Sequence, residues 1–189
     1  MHRTPARIAA ALVAAGALAT GGAGVAAGGH DDDDNGRHPN AKAFHAKLSG
    51  YQEVPAISTT GRGSFRARLS GDGTEVRWRL SYRGLETPVQ QAHVHFGQED
   101  VNGGVSAFLC GNLPGTPAGV QACPPSPATI AGTIGADDVV GPVEQGIEPR
   151  ELGELLAAMR AGVTYANVHT DAFPNGEIRG QIGPRKRHR

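Results

Sequence analysis

Between residues 43 and 83 apolar and polar positions alternate with a period of two. Phe44, Ala46 and Leu48 are separated by His45 and Lys47. Phe65, Ala67 and Leu69 are separated by Arg66 and Arg68. Val76, Trp78, Leu80 and Tyr82 are separated by Arg77, Arg79 and Ser81, with Arg83 following. Successive side chains of a strand point to opposite faces, so each run predicts a strand with one buried and one solvated face. Gly71-Asp72-Gly73 between the second and third runs predicts a hairpin. The row of arginines reads most simply as a solvated sheet face, and its functional alternative is a stripe that binds a polyanion. Residues 49–55 break the pattern and predict an irregular or edge segment, because Pro55 has no N–H to give to a ladder.

Further strands are predicted over residues 89–96, 105–109, 128–134, 163–170 and 177–182, and a Pro/Gly-rich loop over 111–127. One stretch has helical spacing instead. Leu152, Leu155, Leu156 and Met159 recur on one face, Pro149 suits a first helical position, and Gly162 suits the stop. This leucine stripe reads as core packing. Many short strands with a single helix in a connection predict an all-β fold, a Greek-key β-sandwich. The domain spans residues 42–183, long enough to bury a sizeable core.

The N-terminus reads differently. Arg3 and Arg7 precede an Ala-rich apolar run at 8–20, and Val25-Ala26-Ala27 offers a small-residue cleavage site. Residues 1–27 are therefore expected to be a secretory signal peptide, with a membrane anchor disfavoured by the short, Ala/Gly-rich run. Residues 28–41 are expected to be a disordered acidic linker carrying Asp31 to Asp34 beside His30, and residues 184–189 a basic tail. The whole chain carries 18 basic and 18 acidic residues, so nothing in its net charge calls for nucleic acid. The expectation is a secreted or extracytoplasmic protein with no membrane span after cleavage. In that setting the two cysteines, Cys110 and Cys123, are expected to form a disulfide. Thiolate metal ligation at this spacing is the weaker alternative.

The chemistry-bearing residues gather in two places. His93 and His95 sit at i and i+2 in Ala92-His93-Val94-His95-Phe96-Gly97, on one face of a predicted strand. A third histidine, His169, shares a predicted strand face with Tyr165 and Asn167. Three imidazoles held by strands suit one copper or zinc ion with an open position. The plain alternative is that each histidine is satisfied locally. Glu177, Gln91, Asn167 and Asp171 are candidates to orient the rings. Glu177 and Arg179 are expected on one strand face, either as a cross-strand ion pair or as a pair that orients a ligand histidine or a small anion. No catalytic residue is assigned. The chain lacks a Gly-x-Ser-x-Gly elbow, a phosphate-binding loop and a carboxylate pair spaced for glycoside chemistry.

These residues resemble the chordin (CHRD) domain family. The resemblance rests on Phe44-His45-Ala46-Lys47-Leu48-Ser49-Gly50-Tyr51-Gln52-Glu53-Val54-Pro55, on the stretch from Ala92 to Gly97, on Tyr165-Ala166-Asn167-Val168-His169-Thr170, and on Phe173-Pro174-Asn175-Gly176-Glu177-Ile178-Arg179-Gly180-Gln181. It implies an extracytoplasmic β-rich domain with a binding or structural role toward a protein or envelope component, and it implies no reaction. A looser similarity connects His93-Val94-His95-Phe96-Gly97 with the copper-binding strand of copper/zinc superoxide dismutases. That similarity implies His93, His95 and His169 as copper ligands and Arg179 as an anion guide. The chain has no bridging histidine and no histidine-rich zinc loop, so one ion is the most it implies. The expectation is a secreted CHRD domain that binds or supports, with a copper-dependent dismutase-like enzyme as the alternative.

Overall fold

The computed structural model describes residues 40–185. The expected signal peptide, the expected linker up to residue 39 and the tail from residue 186 lie outside the described residues. Each period-two run forms a strand. They are β1 Ala43–Ser49, β2 Arg62–Leu69, β3 Val76–Arg83, β4 Val89–Phe96, β5 Gly104–Gly111, β6 Ala128–Ile134, β7 Thr164–Thr170 and β8 Ile178–Pro184. Residues 50–52 of the expected irregular segment form a 3-10 turn.

All eight strands belong to one antiparallel sheet in the order β5-β4-β7-β8-β1-β2-β3-β6. The sequence pattern predicts two stacked sheets; the hydrogen bonds instead run through a single sheet that curls into a nearly closed barrel. Alternation tells which face of a strand is buried, and it is silent about which strand lies beside it. The register carries the inward residues across the sheet. Phe44 faces Ala67, which faces Trp78, and Ala46 faces Phe65, which faces Leu80. With Leu48, Val94, Val168, Ile178 and Ile182 they form one buried core. Gly180 sits where β8 crosses β1, and a Cβ there would collide with the Lys47 carbonyl, so only glycine admits this pairing.

β5 and β6 end the sheet on either side, and the loop between them spans the seam. The amide of Gln121 donates to the Leu109 carbonyl on β5 and to the Ala131 carbonyl on β6, both at 3.2 Å. Gly111 N–H donates back to the Gln121 carbonyl at 2.9 Å. A Cys110–Cys123 disulfide ties the same loop to β5. Closing this loop is worth about 3 kcal/mol in the chain-entropy account. Cys110→Ser/Cys123→Ser is expected to lower the free energy of urea unfolding by about that amount.

The helix α1, Leu152–Arg160, buries Leu152, Leu155, Leu156 and Met159, as the spacing predicts. It starts three residues after Pro149. Glu151 is the N-cap residue, and its carboxylate accepts the Glu148 N–H at 2.8 Å. Gly162 follows the helix with φ +71°, a left-handed conformation that stops it cheaply. No helix among the described residues is long and apolar enough to cross a membrane.

Candidate metal centre

β4 carries alternate residues to opposite faces, and its two faces are unlike. Ala92 and Val94 enter the barrel core. His93 and His95 point the other way. There they meet the face of β7 that carries Tyr165, Asn167 and His169, since His93 pairs with Asn167, His95 with Tyr165 and Gln91 with His169. Register shifts in the β4–β5 pairing fall immediately before His93 and immediately before His95. Bulges of this kind re-aim the side chains that follow them. The residue facing His93 on β5 is Phe108, whose ring packs edge-on against the imidazole at 4.5 Å.

The three imidazoles meet. One nitrogen from each of His93, His95 and His169 lies within 4.8 Å of the others. All three residues are buried, at 3%, 8% and 6% exposure. Backbone carbonyls fix two of the rings. His95 Nδ1–H donates to the Gly103 carbonyl and His169 Nδ1–H to the Pro174 carbonyl, each at 3.0 Å. Those bonds put the proton on Nδ1 and leave the Nε2 lone pair of both rings free. His93 Nδ1 lies 3.2 Å from His169 Nε2 and donates to it. The Nε2 atoms of His93 and His95 are buried without any partner.

Burial also keeps the cluster uncharged. Desolvation, with repulsion from His169 and His95, takes His93 down to about 2. Desolvation takes His95 and His169 down to about 4, against the opposing pull of their carbonyl partners. At neutral pH the cluster is three neutral imidazoles with bare nitrogens buried among them. That donor set could hold a single metal ion. Orphaned buried nitrogens are rare in folded proteins and call for a partner.

A second layer of aromatic and charged groups lies against the cluster. The Tyr165 ring stacks on His95 with centroids 4.6 Å apart and planes 2° from parallel. The Arg179 guanidinium lies 3.5 Å from the Tyr165 ring centroid. Arg179 is itself buried and donates to the Gln98 and Val101 carbonyls and to Asn102 Oδ1. It thus pins the loop 97–103 that supplies the Gly103 carbonyl to His95. Arg179 does not meet Glu177. The Glu177 carboxylate, fully buried at the start of the β7–β8 return, accepts the Thr59 and Thr170 hydroxyls at 2.7 Å and the Glu86 N–H at 3.1 Å. Gln91 is half-buried and makes no hydrogen bond to the cluster, and Asp171 accepts from Gln90. Asn167 donates to Glu53 Oε1 at 2.6 Å and to the Ile178 carbonyl.

Glu53 is the residue that sequence reasoning passed over. It lies in the aperiodic segment after β1, so no pattern marks it. Burial pushes its carboxyl up to about 7, partly countered by Arg179 and by the Asn167 hydrogen bond. Gly176, at φ +128°, makes room for it. A Cβ there would stand 2.6 Å from Asn167 Nδ2 and 2.7 Å from Glu53 Oε1. Gly176→Ala is expected to cost about 2–4 kcal/mol through backbone strain and the displaced carboxyl, read as a lowered urea midpoint.

The CHRD domain family model matches residues 44–182, a span that holds the whole cluster, Glu53, Glu177 and Arg179. The chain belongs to the CHRD domain family. Comparisons with curated proteins and with solved structures gave no match. In this CHRD domain the histidines therefore occupy the outer face of the sheet, under the loop 97–103, and not the barrel interior.

Proposed function

We propose that this protein is a secreted CHRD domain with a binding or structural role that holds one metal ion, copper or zinc, through His93, His95 and His169. One observation carries the metal: the Nδ1–H groups of His95 and His169 are committed to carbonyls, which leaves both Nε2 lone pairs available within the buried cluster. His95 and His169 would bind through Nε2, and His93 through Nδ1, the nitrogen that faces His169, with its proton moved to the unpartnered Nε2. A bound ion would supply Lewis acidity or, for copper, a one-electron couple. The residues of this chain position the rings, keep them neutral and exclude water. Secretion is supported by the N-terminal signature and by the disulfide.

The dismutase-like reading asks Arg179 to receive an anion. Its guanidinium is buried against Tyr165 and engaged by three loop acceptors. That arrangement favours a scaffold role for Arg179, and we rank the binding or structural reading first.

Mass spectrometry of protein refilled with copper or zinc, then desalted, tests the site. One equivalent of metal is expected, lost in both His93→Ala and His169→Ala while circular dichroism stays unchanged. Metal-free wild-type protein after excess copper and zinc would remove the site and leave a metal-free binding domain.

A further inference from the structure

The barrel carries a second face that the histidine cluster does not touch. It is the outer surface of β1, β2, β3 and β6. The outward positions of β2 are Arg62, Ser64, Arg66 and Arg68, and those of β3 are Arg83, Ser81, Arg79 and Arg77. The register sets them opposite one another as Arg62–Arg83, Ser64–Ser81, Arg66–Arg79 and Arg68–Arg77. The six arginines are exposed. Lys47 extends the serine rung on β1, and His45 extends the Arg66–Arg79 rung. None of the four strands contains an acidic residue. Among the described residues, Glu75, just before β3, neutralises Arg77 alone of these arginines.

This arrangement opposes folding. Like charges directly opposite on neighbouring strands destabilise a sheet. Two such rungs lie side by side and a third lies beyond the serine rung, in a chain whose overall charge is zero, so general basicity does not explain them. Solvation alone would be met as well by alternating signs. With the serine rung counted, the rungs are two residues apart along the strands, about 7 Å, so the row from Arg62 to Arg68 extends over about 20 Å. Two open furrows of about 830 Å³ each lie toward the two ends of these strands, one over Lys47, Arg62 and Arg83, the other over Arg66, Arg68 and Arg185. Ser64 and Ser81 offer hydroxyls in the first of them, and the Ser81 hydroxyl is already bonded to Thr129 at 2.8 Å.

We infer that this face binds a linear anionic polysaccharide bearing repeated sulfate or carboxylate groups, laid along the strands over the arginine rungs. Guanidinium forks match such oxyanions in bidentate fashion. The interleaved hydroxyls suit a polyol. The face offers no aromatic platform for bases, because Trp78 and Tyr82 point into the core. It offers nothing to insert into a bilayer either, since Tyr51, Val101, Leu113, Val140 and Val143, the exposed large apolar residues, lie outside these strands.

The test measures binding of the purified protein to heparin (sulfated) and to polygalacturonate (carboxylated), with single-stranded DNA of matched charge as the third arm. Binding to at least one glycan is expected, weakening as salt rises. Arg66→Ser/Arg68→Ser/Arg77→Ser/Arg79→Ser is expected to lose about tenfold or more in affinity, with a shallower salt dependence. It is expected to fold as well as wild type, checked by urea unfolding, because like-charge rungs are removed. Arg66→Ser alone is expected to weaken binding and Arg150→Ser, a charge removed elsewhere, to leave it unchanged. Equal losses from Arg66→Ser and Arg150→Ser, DNA binding as tight as glycan binding, or no binding to either glycan would each overturn the inference.

Discussion

Taking the metal-free protein from pH 7.5 to pH 5 is expected to remove about 4 kcal/mol of stability. The sign follows from the three histidines. Each has a folded pKa far below the unfolded value of about 6.5, so between those values the unfolded chain binds the protons. Their contribution is complete above pH 6.5. It begins to fall as the pH drops through that value and continues down to about 4 for His95 and His169 and to about 2 for His93. At pH 5 each histidine costs about 2 kcal/mol. Glu53 works in the opposite direction. Its folded pKa of about 7 lies above the ordinary value of 4.5, so its contribution is present below 4.5 and is lost as the pH rises through 7. On acidification it returns about 2 kcal/mol, roughly one histidine's worth. Urea unfolding at the two pH values reads the net effect, and Glu53→Gln is expected to steepen it. A stability that stays level or rises between pH 7 and pH 5 would contradict a buried, neutral trio. Bound metal would raise the neutral-pH plateau and make the acid loss larger, because protons and metal compete for the same lone pairs.

The second large effect is at Glu177. Glu177→Leu is expected to cost about 4 kcal/mol. The residue is fully buried, yet it joins three distant segments by accepting from Thr59, Glu86 and Thr170. An apolar replacement strands those donors, each at about 1–3 kcal/mol of lost hydrogen bonding. Glu177→Gln keeps one acceptor oxygen and is expected to lose about half as much. Equal, small losses in both variants would mean that water takes over the donors and that the carboxylate is not a structural tie. Since Thr170 lies next to His169, the leucine variant is also expected to loosen the histidine cluster before the arginine-faced strands.

Much of this molecule was legible from residue order. The alternation in Phe44–Leu48, Phe65–Leu69 and Val76–Tyr82 marks the inward residues of β1, β2 and β3, and the i, i+2 spacing of His93 and His95 gives their common face. The convergence of His169 was open until the pairing of β4 with β7 was known, because a strand's neighbour depends on tertiary contacts and not on its own pattern. The ring orienters were out of reach for a different reason. Gly103 and Pro174 act through backbone carbonyls, and a carbonyl leaves no mark on residue identity. Glu177 and Arg179 look like a pair from their spacing. Glu177 lies one residue before β8 begins, where strand parity no longer governs the direction of a side chain.

The loop that spans the seam has a consequence for how copies of the protein behave toward one another. A barrel that stops short of closure keeps two strands with unsatisfied backbone groups, and such strands invite pairing with another chain. Gln121 caps a carbonyl on each of them, and the Val140 N–H occupies the Ser106 carbonyl farther along β5. The Cys110–Cys123 bond keeps that cover in place. Losing that bond would leave the cover free to lift and β5 and β6 open to pairing with a second copy of the chain.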